Sequence, residues 1–235
     1  MGLLAEDAAA LLGLRLTPAQ VAAFERYAAE LASWNAHTNL TAITDAEGVR
    51  VRHFLDSLTV VKAAALGDGT RVIDVGTGAG FPGLPLKIAF PAIELTLLEA
   101  TGKKVRFLEH ICAVLGIEAV VLHARAEEAG RQPELRESYD LVLARAVARL
   151  PTLLEYLLPL ARVGGRCIAM KGHTAHSEVE DSARALSVLG GRLASITAVE
   201  LPAIAEARYL VAIDKAAPTP AAYPRKPGTP SQRPL

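Results

Sequence analysis

Apolar and polar positions repeat with two different periods along this chain. Up to about residue 65 the spacing is helical. Leu3 to Leu12 and Pro18 to Ser33 are rich in Ala and Leu, and Thr17-Pro18 supplies an N-cap followed by proline at the first helical position. A polar stretch from Asn35 to Thr41 interrupts the pattern. A third helix over Val49 to Ala65 then places Phe54, Leu58 and Val61 on one face. From Arg71 the period changes, and short β-branched runs alternate with helical segments. Strands are predicted at Val72–Val75, Leu95–Glu99, Ala119–Leu122, Tyr139–Ala144, Arg166–Met170, Arg192–Leu201 and Arg208–Asp214. Helices are predicted at Leu84–Phe90, Lys103–Leu115, Pro151–Leu158 and Val179–Leu189. Repeated strand–helix units imply a mostly parallel sheet with helices on both faces, and the last two strands, with no helix between them, imply an antiparallel pair. The chain divides into a helical part (1–66), an α/β core (67–217) and a tail (218–235). The tail holds six prolines, three basic residues and no acid. It is expected to be neither a helix nor a central strand, leaving a docked arm or a disordered extension.

Composition narrows the classes. With 235 residues, 51% of them hydrophobic, the chain has ample core for one large domain. Twenty-five basic and 25 acidic residues cancel, so any nucleic-acid contact needs a local patch. Cys112 and Cys167 lie far apart in apolar surroundings and read as buried small hydrophobes. Few cysteines, no signal peptide and no transmembrane run fit a cytoplasmic protein. No His/Cys/Asp/Glu set has metal-ligand spacing, so no metal is expected.

The candidate chemistry lies in the loop after the first strand, Asp74-Val75-Gly76-Thr77-Gly78-Ala79-Gly80-Phe81-Pro82-Gly83. Glycines there let the backbone turn sharply and let a ligand approach it closely. Glu99 ends the next strand, about 20 residues on, where a carboxylate can accept bonds from ribose hydroxyls. Read from Gly78, the loop also spells Gly-x-Gly-x-x-Gly, so a dinucleotide dehydrogenase competes with a methyl donor. Three features favour the donor. Asp74 is placed to meet a cationic methionine amino group, Pro82 removes an amide that a pyrophosphate would use, and little chain remains for a second substrate domain.

Five segments in fixed order carry a resemblance: Asn39 to Ile43, Arg52 to Leu58, Asp74 to Leu86, Arg145 to Ala148 and Met170 to Gly172. From about Asn35 to Lys215 the chain resembles the bacterial small-subunit rRNA guanine-N7 methyltransferases, also called glucose-inhibited division protein B. The resemblance implies a Rossmann-like class I methyltransferase fold and a small N-terminal helical part. It implies S-adenosyl-L-methionine as methyl donor and N7 of one guanine of 16S rRNA, conventionally position 527, as acceptor. The acceptor rRNA would be met within the small subunit or an assembly intermediate. It places the donor against Gly76, Phe81, Ala126-Glu127 and Arg145, with Glu99, Ala100 and Thr101 at the ribose end. Asp74 and Gly78 complete the expected donor set.

Guanine N7 carries an in-plane lone pair and needs no deprotonation, so no general base is expected, only positioning. Arg145, at a strand's carboxyl end, could meet the guanine edge or a phosphate, or pair with a nearby acid. Lys171 and Arg149 are read as RNA contacts, against solvated or paired surface cations. His53 is expected to brace its helix against the donor loop. Between Arg145 and Lys171 five basic residues face one acid, Glu155, while residues 1–50 hold three basic against six acidic, which points to an RNA face near the strands' carboxyl ends. Lys103, Lys104 and Arg106 would extend that face, or would be ordinary exposed cations.

Overall fold

The computed structural model describes all 235 residues. The N-terminal part is three helical segments. Helix α1 (Gly2–Leu12) and α2 (Pro18–Asn35) are followed by α3, a continuous run over Ala46–Gly48, Val49–Leu55, Asp56–Leu58 and Thr59–Lys62 whose second stretch is wound as a π-helix. Helix α2 starts where a capping box satisfies its free amides: Gln20 N donates to Thr17 Oγ1 at 3.3 Å and Thr17 N to Gln20 Oε1 at 2.8 Å. The same Gln20 side chain donates to the Ile88 and Ala89 carbonyls, which ties this start to the core. One face of α2 buries Phe24, Tyr27 and Leu31 at helical spacing.

The core is a seven-stranded sheet. Its strands are β1 (Arg71–Val75), β2 (Glu94–Glu99), β3 (Ala119–His123), β4 (Tyr139–Arg145), β5 (Ala161–Lys171), β6 (Gly191–Leu201) and β7 (Ile204–Lys215), in the order β3-β2-β1-β4-β5-β7-β6. The first five run parallel and β7 lies antiparallel to both β5 and β6, as the missing helix between the last two strands predicts. The helices α4 (Gly83–Ala89), α5 (Gly102–Leu115), α6 (Ala126–Ala129), α7 (Leu150–Leu157), α8 (Ala175–Glu180) and α9 (Ala183–Leu189) connect the strands.

Central strands are apolar on both sides, and alternate residues feed two cores. Val72, Leu95, Leu97, Leu141 and Ile168 face α1–α5, while Ile73, Val75, Val142, Cys167 and Ala169 face α7 and α9. Cys112 and Cys167 are free and buried, one in each core. Burial pushes their thiols up to about 11 and about 12, as expected of cysteines used as small hydrophobes.

Several boundaries differ from the pattern. The segment read as one helix over Val179–Leu189 is two helices broken at Asp181-Ser182. The single turn α6 was not foreseen, being too short for periodicity to reveal. The tail is a docked arm, not a disordered one, and it contains one helical turn, α10 (Thr229–Gln232). The expectation of no helix there fails because Pro230 sits in that turn's first positions, where no intrahelical amide is needed. No helix is long and apolar enough to cross a membrane.

Candidate functional site

The glycine loop leaves β1 at its carboxyl end and is braced from three sides. At its root Asp74 is fully buried, and its Oδ2 accepts from Thr77 Oγ1 at 2.6 Å and from Gly83 N at 2.8 Å. Gly83 must lack a side chain, because a Cβ would stand 3.0 Å from Asp74 Oδ2 and 2.9 Å from Leu97 Cδ2. Gly80 has φ +100°, a region open to glycine, and any Cβ there would strike Leu84 and the Tyr27 hydroxyl. Burial raises the Asp74 carboxyl to about 6 against the lowering effect of its two donors. Its other oxygen, Oδ1, is buried and has no hydrogen-bond partner.

The N-terminal helices supply the second brace. Tyr27 donates its hydroxyl proton to the Ala79 carbonyl and stacks on Phe81 at 5.4 Å. His53 stacks on the other side of the Phe81 cluster, 4.4 Å between centroids and 14° from parallel. Its Nδ1 lies 3.2 Å from Arg145 Nη2 and its Nε2 2.8 Å from Thr41 Oγ1. Guanidinium is only a donor, so Nδ1 accepts and Nε2 carries the proton. Burial and Arg145 together lower the His53 pKa to about 3, so the ring is neutral near pH 7. His53 thus braces the loop through Phe81.

The third brace is Glu99. Its Oε2 accepts from Gly78 N and its Oε1 from Thr101 N, each at 2.9 Å, which joins the loop to the start of α5.

Two cavities flank the carboxyl end of β4. One, of about 270 Å³, is lined by Gly76, Glu99, Ala100, Ala126 and Glu127, together with Val147, Tyr156, Gly228 and Ser231. Of the expected donor residues, Asp74, Gly78, Phe81 and Thr101 do not line this cavity but support the loop around it, and Arg145 does not line it either but faces the second cavity. The other cavity, of about 200 Å³, is lined by Arg145, Ala146, Met170 and Lys171 with Asp56, Arg208 and Tyr209. Between the two runs the Arg145–Val147 turn, where Ala146 is held at φ +56°, a costly conformation for a residue with a side chain.

The expected RNA-contacting cations are engaged within the chain. Arg145 donates to Asp56 Oδ2 and to the Arg52 carbonyl, both at 3.0 Å, and its guanidinium lies 5.0 Å from the Phe81 ring. Lys171 pairs with Glu178 at 2.7 Å and donates to the Ala148 carbonyl at 2.5 Å, with 10% of its side chain exposed, so it is not a free surface lysine. Arg149 pairs with Asp181 at 2.8 Å on the surface. Missed in the sequence were Tyr27, Tyr156, Arg208 and the tail residues Gly228 and Ser231. Each reaches the site from a distant element, and no local motif marks it.

The strand order, the reversed last strand and a glycine loop paired with an acidic residue at the end of β2 define a class I S-adenosylmethionine-dependent methyltransferase. The chain is similar in fold to a solved S-adenosylmethionine-dependent methyltransferase from Aquifex aeolicus (TM-score 0.54, 19% identity, 72% of this chain and 93% of that one). It is likewise similar to TrmN from Thermus thermophilus (TM-score 0.53, 19% identity, 68% of this chain and 48% of that one). The family model for rRNA small subunit methyltransferase G matches residues 20–207, and the chain belongs to that family. It is 53% identical to the ribosomal RNA small subunit methyltransferase G of Roseiflexus castenholzii over 95% of both chains. It is 48% identical to that of Pelotomaculum thermopropionicum over the full length of both. Family membership decides between the two readings of the glycine loop in favour of the methyl donor.

The residues present fit that donor. Asp74 Oδ1 is a buried acceptor in want of a donor, and the Glu99 and Glu127 carboxylates line a cavity that has Val75, Leu98 and Val147 among its apolar walls. Acceptors of this kind suit the ammonium and hydroxyl groups of S-adenosylmethionine.

Proposed function

We propose that this protein methylates N7 of guanine 527 (conventional numbering) of 16S rRNA, within the small subunit or an assembly intermediate in the cytoplasm. The observation that carries the reading is the pair of cavities that share the Arg145–Val147 turn as a wall, Arg145 and Ala146 lining one and Val147 the other. Gly76, Glu99, Ala126 and Glu127 would hold the donor on one side. The acceptor base enters the other, where Arg208 Nε is a buried donor without an acceptor.

S-adenosylmethionine, when bound, supplies a methyl group on a sulfonium sulfur. The chain's own residues align and desolvate. Arg145, locked by Asp56 and His53, fixes the turn between the cavities. Phe81, buried between His53 and Tyr27, fixes the loop. Alignment of this kind lowers a barrier by about 7–11 kcal/mol in favourable cases. The lone pair at guanine N7 needs no proton removed, and the imidazole stacked on the loop, His53, is committed as acceptor to Arg145 and donor to Thr41.

Mass spectrometry of 16S rRNA from cells with and without the gene tests the proposal. The N7 methyl is expected only in its presence, and persistence in the deletion strain overturns the reading. For the site, Gly76→Ala strains φ +67° and presses on Val147, so donor binding by calorimetry is expected to weaken at least tenfold. Unchanged affinity in both Gly76→Ala and Arg145→Ala would sink the donor assignment.

A further inference from the structure

We infer that residues 228–231 of the C-terminal arm form a working wall of the donor cavity, so that donor binding and arm docking are coupled. The inference rests on the donor reading above and extends it to a segment that neither the glycine loop nor the acceptor cavity explains.

The arm is fastened along its whole length. At its root Lys215, wholly buried, pairs with Glu137 at 3.1 Å and donates to the Leu158 carbonyl at 2.8 Å. Arg136 Nη1 donates to the Tyr223 carbonyl at 2.8 Å, and Nη2 to the Thr219 carbonyl at 2.7 Å. Arg225 grips Glu155 of α7, with Nε at 2.9 Å from Oε1 and Nη2 at 2.6 Å from Oε2, while its backbone N–H donates to Oε1 at 2.7 Å. Glu155 is wholly buried, so this pair locks the arm in one register. A tail of 18 residues with six prolines and few large apolar side chains has no core of its own, and these anchors are what order it.

The consequence falls on the site. Beyond Arg225 the chain turns at Gly228, whose φ of +85° aims its N–H at Glu127 Oε1, 2.9 Å away. Glu127 is 5% exposed and lines the donor cavity, so the arm orients a carboxylate that the donor would meet. Gly228 and Ser231 themselves line the cavity, and Pro230 is pinned to α7 by Thr152 Oγ1 at 3.2 Å. A wall that contacts the ligand and docks reversibly is coupled to it by necessity: whatever docking adds to donor affinity, the donor returns to docking.

The test uses a chain ending at Pro227, which keeps Arg225 on Glu155 and removes the wall. The Kd for S-adenosylhomocysteine by calorimetry is expected to rise at least tenfold. The KM for the donor should rise with it while kcat at saturating donor stays within twofold, a split that mere loss of stability would not give. Unchanged Kd overturns the inference. Hydrogen exchange on the full-length protein reads the same coupling from the other side and does not depend on the truncation folding. Saturating S-adenosylhomocysteine should slow exchange of a 226–235 peptide severalfold more than exchange in the β6–β7 hairpin. Equal protection of the two overturns the inference. A full-length protein that binds no donor instead overturns the donor reading.

Discussion

Two buried titratable groups hold the glycine loop, His53 through Phe81 and Asp74 at the root, and their pKa values move in opposite directions. Below pH 6.5 the unfolded chain protonates His53, while the folded ring, at about 3, does not. Stability is therefore lost as pH falls from 6.5 towards 3, by up to about 1.4 kcal/mol per unit. Asp74 has the reverse sign. Its folded value of about 6 lies above the ordinary 3.8, so the folded state takes up the proton first and stability is gained as pH falls from 6 towards 3.8. Between about pH 6 and pH 4 the two contributions offset each other. Single variants should expose them. Thermal melts followed by circular dichroism are expected to show His53→Gln gaining on the wild type as pH is lowered from 6.5 to 4. Asp74→Asn should lose ground over 6 to 4. A wild-type-minus-variant difference that does not change with pH would contradict the shift concerned. Asp74 was legible in the sequence because it follows a strand and precedes glycines. The direction of its pull was not, since the two oxygens divide their work: one holds Thr77 and Gly83, the other has no partner.

Helices of the N-terminal part matter to the site through α2 more than their small size suggests. Tyr27, on the buried face of α2, reaches the Ala79 carbonyl in the middle of the glycine loop. Tyr27→Phe keeps the stacking on Phe81 and leaves a buried carbonyl unpaired, for a loss of about 1–3 kcal/mol in urea unfolding. A less preorganised loop should also weaken donor binding, by roughly threefold. Wild-type stability and wild-type affinity in that variant would show that α2 does not hold the loop. The spacing of Phe24, Tyr27 and Leu31 marks Tyr27 as a core residue, and nothing in that spacing distinguishes an aromatic ring that fills space from one whose hydroxyl serves a distant loop. Strand positions were legible for a simpler reason: the central strands are apolar on both faces, so runs such as Val72–Val75 stand out. Their ends were less so. β5 begins at Ala161, not Arg166, because Gly164 and Gly165 interrupt the β-branched pattern without ending the strand.

Charge is where the whole molecule departs furthest from the linear reading. The five cations from Arg145 to Lys171 look like a basic stripe along the chain, yet folding brings an acid to each: Asp56, Asp181, Asp140, Asp214 and Glu178 lie 2.6–3.0 Å from Arg145, Arg149, Arg162, Arg166 and Lys171. Local counting cannot see partners such as Asp56, which comes from α3 of the N-terminal part, and Asp214, which comes from β7. Cations without a partner are found instead at the start of α5. Lys103, Lys104 and Arg106 form no ion pair, and Lys103 and Arg106 are exposed. This turn follows Glu99 and Ala100, which line the donor cavity, and we propose it as an extension of the rRNA face. Each lysine or arginine placed on a phosphate releases condensed counterions, with a slope of about −0.7 in log K against log salt per contact on single strands and about −0.9 on duplex. The triple variant Lys103→Ala, Lys104→Ala, Arg106→Ala is therefore expected to weaken binding to a 16S rRNA fragment and to flatten its salt dependence by about 2 in slope. Donor affinity should not change. Arg149→Ala, whose cation is already neutralised by Asp181, should leave the slope as it is. If the triple variant binds with the wild-type slope, the rRNA does not cross the start of α5, and if Arg149→Ala flattens it instead, the Asp181 pair opens when the rRNA arrives.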